Sequence, residues 1–329
     1  MQKIYRAAIA GAVALCSGAP LAVAHAADDV RNYPARPVRV VIGFTPGGQP
    51  DIIARMLAPR LGSALGHQFV IDNRPGAGGV TGNKIVVDAL PDGYTLLVSS
   101  SSIAISPAMF ANLPFDTVKD VTGISSAYNA AYVLAVTPAL GVKNVHEFVA
   151  LAKAKPGQLN FSSAGNGSGM HLAGEILRQT LNIDVVHVPY KGVPEALTDT
   201  IGARVQFTLA PLGSSVSLIR EGRLRALAIT SAKRLPVHPD LPTVAESGYP
   251  GFRWDSWAGV FAPAKTPRAI VMKLNREIVR VLNDAEFQQR LSAFGMEAAP
   301  STPEQLDKFL VEQIALVMQL AKKAGIQAR

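Results

Sequence analysis

Cysteine is nearly absent: Cys16 is the single one in 329 residues. An intramolecular disulfide is therefore excluded, and a cysteine-built zinc site or a thiolate nucleophile has almost no material to work with. Aromatic residues make up only 6% of the chain, and no block of basic residues interleaved with aromatics occurs along it. The formal net charge of +8 is spread out, with Lys3 and Arg6 contributing two of it at the extreme N-terminus. Nucleic acid is a poor partner for such a surface, whereas small anions suit it, and solubility alone explains it equally well. Beyond residue 26 no apolar run reaches the ~20 residues needed to span a bilayer.

The catalytic and nucleotide spellings are missing too. A Walker loop requires a lysine after its glycines, and none stands between Lys155 and Lys191. The dinucleotide fingerprint beginning at Gly165 and Gly167 would need glycine where Met170 stands. "HEFVA" (146–150) starts as a zincin helix and ends in Ala150, so its second histidine is lacking. Around Ser168 the flanks are Asn166 and Met170, which is not a nucleophile elbow. No cofactor, nucleotide or metal is expected. The enzymatic reading left open is an exported hydrolase using Ser168 and His171, for which nothing supplies an orienting acid.

Export is what the N-terminus does spell. Lys3 and Arg6 precede an apolar stretch from Ala7 to Val23, relieved by Ser17, Gly18 and Pro20, and Ala24-His25-Ala26 forms a small-x-small cleavage site. Residues 1–26 thus read as a secretory signal peptide cleaved near Ala26, so the mature protein is expected outside the cytoplasm. Cleavage removes Cys16. A lipid anchor there is disfavoured because Leu15 occupies a place where lipoprotein signals carry a small residue.

About 300 mature residues exceed what one hydrophobic core usually serves, so two lobes are expected. Strand and helix signals alternate along the chain. "VRVVIGF" (38–44) leads into the helical spacing of "DIIARMLAPRLGSAL"; "QFVID", "GGVTGNKIVVDAL" and "YTLLVSSSS" follow as strand, helix and strand with a polar tip. After a proline-rich passage a second series opens at "AYVLAVTP" (131–138). It continues with helices near 144–154, 168–181, 194–203 and 214–221, alternating with "NFSS", "VVHVPY", "VQFTLAP" and "RALAITS". A loop-rich crossing with Pro236, Pro239, Pro242 and Pro250, a strand at "WAGVFAP" and helices at 267–283 and 303–324 close the chain. Such alternation predicts parallel-rich α/β sheets, whose ligands sit beyond the C-terminal strand ends.

Two glycine-rich turns fall on such ends. "GFTPGGQPD" (43–51) has Asp51 to cap the helix that follows, and "SSAGNGSGMH" (162–171) has Ser168 in the N-cap position. Each leaves backbone N–H groups unpaired at the positive end of a helix, which is an anion site in waiting. Placed in opposite lobes, the two would grip one carboxylate from both sides.

These turns, together with "NRPGAGGVTG" (73–82), "PDGYTLLVSS" (91–100), "HVPYKG" (187–192), "GRLRALAIT" (222–230) and "LPTVAESGYPGF" (241–252), make the chain resemble the Bug/TctC family. These are periplasmic solute-binding proteins of tripartite tricarboxylate transporters. The resemblance runs over essentially the whole mature chain. It implies a two-lobed, type II-like Venus flytrap, with lobe 1 made of residues 27–126 and 230–329 and lobe 2 of 127–229. It also implies a small carboxylate ligand held largely by main-chain N–H groups. The partners implied are the membrane subunits of a transporter, or in a second reading a membrane signalling protein to which the loaded receptor reports; the chain is expected to act as a monomer.

By the same resemblance the ligand loops comprise Phe44, Thr45, Pro46, Gly47, Gly48, Gln49 and Asp51; Ser99, Ser100 and Ser101; Ser163, Ala164, Gly165, Asn166, Gly167, Ser168 and His171; and Tyr190 with Gly192. The chain departs from the family pattern at Gln49-Pro50, where small polar residues are common. It departs again at Ala210, where many members have an aspartate suited to an ammonium group. Ala210 therefore points to a ligand without a charged amine. Plainer roles are also open: the glycines as turns, His171 as a packed residue bonded to backbone, Asp51 as a cap, Trp254 and Trp257 as core, and Tyr190 as a structural residue near the hinge.

Overall fold

The computed structural model describes residues 32–235, 238–323, 325, 326 and 328, so the expected leader, its expected cleavage site and Cys16 lie outside the described residues. Strands and helices alternate as the sequence pattern predicts. The first series is β1 (Val38–Ile42), α1 (Gln49–Leu65), β2 (Phe69–Asn73), a 3-10 turn at Ala77–Gly79, α2 (Val80–Val87), β3 (Thr95–Ser100) and α3 (Ser102–Met109). A long strand, β4 (Val121–Val136), leads to α4 (Val145–Ala154), β5 (Leu159–Ser163), α5 (Gly169–Thr180), β6 (Val185–Pro189), α6 (Val193–Ile201), β7 (Phe207–Pro211), α7 (Leu212–Arg220) and β8 (Arg225–Ile229). The chain then returns through β9 (Asp255–Pro263), α8 (Arg268–Leu282), α9 (Ala285–Ser292), β10 (Met296–Ala298) and α10 (Pro303–Lys323).

Two parallel triplets flank the antiparallel centre. β2, β1 and β3 pair in parallel, and β6, β5 and β7 do the same. Between them, β3 pairs antiparallel with β9, β9 with β4, and β4 with β7. β4 is shared: residues 121–131 pair with β9, whereas 132–136 pair with β7 and 133–136 with β8. The change of partner falls between Ala131 and Tyr132. Both triplets run their C-terminal ends into loops that start helices, as a two-lobed α/β binding fold requires.

One core lies where β1, β3 and β9 meet α2, α3 and α10. Val41, Val86, Leu97, Ile103, Trp257, Phe261, Leu306 and Leu310 are buried together there, with Phe309 against Trp257. Trp254 and Trp257 are both buried, so they serve packing as expected. The second core centres on Phe148, Phe161 and Phe207, whose rings pack edge-on and tilted. Each such side chain contributes ~1.5–3 kcal/mol relative to exposure. The amphipathic spacing of Ile270, Val271, Leu274, Ile278, Val281 and Leu282 explains the burial of one face of α8. Among the described residues no helix is long and apolar enough to cross a membrane.

Three local expectations are corrected. The polar tip of β3 stops at Ser100, and Ser102–Met109 form a helix inside the passage read as proline-rich. α3 is buried almost all round, so no amphipathic period marks it, and it retains Pro107 within its length. β4 begins at Val121 rather than near 131; register shifts between Gly123 and Ser125 and between Ser126 and Tyr128 hide its first half from an alternation count. Finally, α9 and β10 (285–298) occupy a stretch in which no element was predicted.

Candidate functional site

The loops at the C-terminal ends of the two triplets meet. Thr45, after β1, donates a hydrogen bond of 3.1 Å to Glu195 in the first turn of α6. Ser214 of α7 donates to the Gly47 carbonyl at 3.4 Å. A Cβ built on Gly78 would lie 2.1 Å from the Asn166 carbonyl oxygen, and one built on Gly47 would lie 3.3 Å from Pro194. These contacts join the loops after β1 and β2 to those after β5, β6 and β7.

In the first loop Gly47 adopts φ +92°, a conformation open to glycine and strained for branched residues. Gly48 is the N-cap of α1 and offers no side-chain cap; its carbonyl accepts the Asp51 and Ile52 N–H groups and Pro50 has none, so only the Gln49 N–H of the first turn precedes a helical partner. The expected capping role of Asp51 is corrected accordingly: Asp51 sits inside the first turn and its side chain reaches back past the N-cap. Its carboxylate accepts from Gly47 N–H at 3.0 Å, from Asn73 Nδ2 at 3.0 Å and from Arg55 Nε at 2.9 Å. Burial alone would raise its pKa, but hydrogen bonds from Arg55, Gly47 and Asn73 outweigh that and hold it below the ordinary aspartate value. Asn73 also donates to the Phe44 carbonyl at 3.0 Å, and the Phe44 ring is buried against Gly79. Asp51 thus holds the loop's shape from behind.

The second loop is tied just as closely. Ser163 Oγ accepts from Gly165 N–H at 3.1 Å and stands 2.6 Å from His187 Nε2. Gly165 and Gly167 take φ +108° and +81°. Ser168 caps α5 as predicted, accepting the His171 N–H at 3.2 Å, while His171 Nδ1 accepts the Gly167 N–H at 3.3 Å and its ring stacks on His187 at 4.0 Å. The serine of the hydrolase reading accepts the backbone N–H of its histidine. Tyr190 turns its hydroxyl to Asp199 at 2.7 Å; burial first and the Asp199 carboxylate second push its pKa up to about 12. Among the described residues no cluster suited to a metal ion occurs.

Comparison with known proteins now decides the kinship. Residues 53–326 match the model of the tripartite tricarboxylate transporter family receptor, TctC. The chain belongs to the TctC receptor family. BugT of Bordetella pertussis is 34% identical over 300 residues, covering 91% of this chain and 92% of BugT. Rpa4515 of R. palustris, solved with adipate, superposes with a TM-score of 0.88 at 33% identity, over 90% of this chain and 100% of that one. MatC of Rhodopseudomonas palustris, solved with bound malate, gives 0.82 at 32% identity over 88% and 99%. The fold is thereby that of a two-lobed periplasmic solute-binding protein.

The loop contacts bring together some of the residues expected from the sequence. Thr45, Gly47, Asn166, Gly167 and Gly192 lie at the meeting of the loops, whereas the Asp51 carboxylate, Ser163 and the Tyr190 hydroxyl are engaged in supporting it. Ser99 and Ser100 end β3, and Ser101 is the N-cap of α3. Ala164 is buried beside the second loop, and Ala210 is fully buried next to the end of β7, opposite Val133 of β4. The buried Gln49 leaves its side-chain amide nitrogen without a partner. Gly78, Pro194, Glu195 and Ser214 were not foreseen. "PGAGG" in the 73–82 motif carried the signal for Gly78, since consecutive glycines invite close backbone approach. Pro194, Glu195 and Ser214 carry no local signal.

Proposed function

We propose that this chain is an extracytoplasmic solute-binding protein that captures a small carboxylate between two lobes and delivers it to the membrane subunits of a tripartite tricarboxylate-type transporter. The lobes are residues 27–126 with 230–329, and 127–229, with β4 carrying the crossing. The protein is exported with the leader removed near Ala26 and acts as a monomer, without cofactor and without chemistry on its ligand.

One observation supports this reading above others: the glycine-rich loop 43–51 meets the first turns of α6 and α7, and the glycine-rich loop 162–171 meets Gly78 after β2, so the loops at the C-terminal ends of the two triplets come together. The N-termini of α1 and α5 present donors and positive dipole ends, so an anion there gains charge-assisted hydrogen bonds that strengthen as water leaves the closing cleft. Contacts are drawn from Thr45 to Gln49, Ser99 to Ser101, Ala164 to Ser168 and Gly192. The carboxylates nearby are already engaged, Asp51 by Arg55 and Glu195 by Thr45, and Ala210 supplies none. Ala210 thus gives a ligand ammonium no counter-charge at the end of β7 and Asp51 is paired with Arg55, so the ligand is a plain, hydroxy or aromatic carboxylate. The adipate and malate of the two solved relatives fit that chemistry.

A thermal-shift and calorimetric screen of residues 27–329 against C3 to C8 mono-, di- and tricarboxylates, aromatic acids and amino acids tests it. Ligand at 100 times its Kd adds ~2.7 kcal/mol and moves the melting point by a few degrees. Displacement of all carboxylates by amino acids would overturn the ammonium argument. The paired variants Ser168→Ala and Gly47→Val are expected to weaken binding modestly and to abolish it, respectively; equal and negligible effects would move the site elsewhere.

A further inference from the structure

We propose that Tyr132 and Ser101 form the floor of the binding cleft and donate their two hydroxyls to the carboxylate received by the N-terminus of α5. This rests on the carboxylate-binding reading and adds to it a residue, Tyr132, that lies on the shared strand outside every ligand loop.

Four consecutive serines, 99–102, end β3 and begin α3. Ser99 Oγ lies 3.4 Å from Asn83 Oδ1, and Ser100 Oγ lies 3.2 Å from Ser102 Oγ. Ser101 is different: its side chain is 2% exposed and its Oγ has no hydrogen-bond partner. Its backbone is fixed, with N–H donating to the Trp257 carbonyl at 2.9 Å and the carbonyl accepting from Ala104. A buried hydroxyl left without a partner costs ~1–3 kcal/mol, so a position that keeps one invites a ligand.

That hydroxyl points to the start of α5. A Cβ built on Gly169, the first residue of the helix, would lie 3.0 Å from Ser101 Oγ and 2.5 Å from the Tyr132 hydroxyl. Glycine is thus what lets the start of α5 lie directly against both hydroxyls, with no room for a side chain between them. Ser168 Oγ has taken the His171 N–H, and the N–H groups of Gly169 and Met170 precede any helical carbonyl that could accept them. Each hydroxyl and amide here can donate a hydrogen bond, which suits an oxygen anion.

Tyr132 is held at the point where β4 changes partners. Its N–H donates to Thr230 Oγ1 at 2.9 Å and its carbonyl accepts from Thr230 N–H at 2.9 Å. Burial pushes its phenol up to about 12, against the lowering effect of a Ser256 hydrogen bond, so it remains a protonated donor at every physiological pH. A ligand bonded to it is bonded to the crossing strand itself.

The test uses the tightest carboxylate of the wild-type screen and its primary amide as probes, by calorimetry on wild type, Tyr132→Phe, Ser101→Ala and the double variant. Each single change is expected to weaken carboxylate binding about tenfold, as the loss of one charge-assisted hydrogen bond does. The preference for carboxylate over amide should shrink with it, and the double variant should show non-additive coupling. The ligand-free melting point of Ser101→Ala should stay within about 2 °C of wild type, because the change removes a hydroxyl that bonds nothing, and that of Tyr132→Phe within a few degrees, because the ring stays and only the Ser256 hydrogen bond is lost. Wild-type binding with unchanged affinity and preference in both variants would overturn this inference alone. Absence of any carboxylate binding by wild type would overturn the function on which it rests.

Discussion

Thr45 Oγ1 donates to Glu195 at 3.1 Å, joining the loop after β1 to the first turn of α6. Gly192 lies against the same hydroxyl, where a Cβ would stand 1.8 Å from Thr45 Oγ1. The bond is half-exposed and worth about 1 kcal/mol, so Thr45→Val is expected to lower ligand affinity about fivefold. Most of the loss should fall on the dissociation rate, since the bond forms only when the loops have met. Gly192→Ala drives the two loops apart and should cost far more than Thr45→Val. Stopped-flow dissociation rates check the order; equal effects of the two variants would show that this contact does not hold the loops together.

Asp51 gives the first loop its pH dependence. Its folded pKa is depressed, so its stabilising contribution is complete above the unfolded value of ~3.9 and disappears as pH falls through the lower folded value. Asp51→Asn keeps one acceptor and removes the charge that Arg55 and Gly47 N–H address. The variant should melt several degrees below wild type at pH 7, and the gap should close as pH falls through the lowered folded value of Asp51. A gap that persisted unchanged in acid would assign the loss to packing.

How far such features could be read in the sequence depends on whether their cause is local. Helix α5 was legible because Ser168, Leu172, Ala173 and Leu177 follow a capped helical period, and the strand of Phe161 alternates. Helix α3 was not, because a helix buried on nearly every side has no polar face to set a period. The early half of β4 was masked by its bulges and by Gly123, Ser125 and Ser126. For the site, the glycine loops announce themselves by composition, but what they touch does not. Gly78 meets Asn166, Gly47 meets Pro194, and Tyr132 meets Gly169 only after the two triplets have been placed on either side of β4. Similarly, the sequence offered Asp51 as a cap because it could not show that Gly48 already occupied that position.

Asp307 has the opposite sign. It lies near the start of α10, and its Oδ1 accepts the Gly123 N–H at 2.6 Å. Burial raises its pKa above the ordinary aspartate value, despite the Gly123 hydrogen bond and the positive charge of Arg268. A raised carboxyl pKa means that the ionised form is tolerated less well in the folded state than in the unfolded one. The penalty is absent below the unfolded value of ~3.9 and fully present once pH exceeds the folded value. Asp307→Asn, which retains the acceptor for Gly123, should therefore raise the melting point at pH 7 and leave it unchanged near pH 3. Melting curves across that range decide it; destabilisation at pH 7 would show that the charge contributes to the Arg268 contact more than it loses to burial.

Gly78 separates closure from folding. With φ +61° it accepts alanine at a cost of about 1 kcal/mol in its own conformation. The larger obstacle is across the cleft, where the new Cβ would stand 2.1 Å from the Asn166 carbonyl and 3.0 Å from the Gly167 carbonyl carbon. Both are backbone atoms of the second loop, so no side chain can turn aside to relieve the contact. Gly78→Ala should lower the ligand-free melting point by only a few degrees, since the lobes can fold while standing apart. Ligand affinity should fall at least a hundredfold, because the loops after β2 and β5 could no longer close to their present separation. Small-angle scattering supplies the second readout: wild type should contract when its ligand is added, and the variant should keep its ligand-free radius. Contraction of the variant with near-normal affinity would show that the approach of Gly78 to Asn166 is incidental to binding.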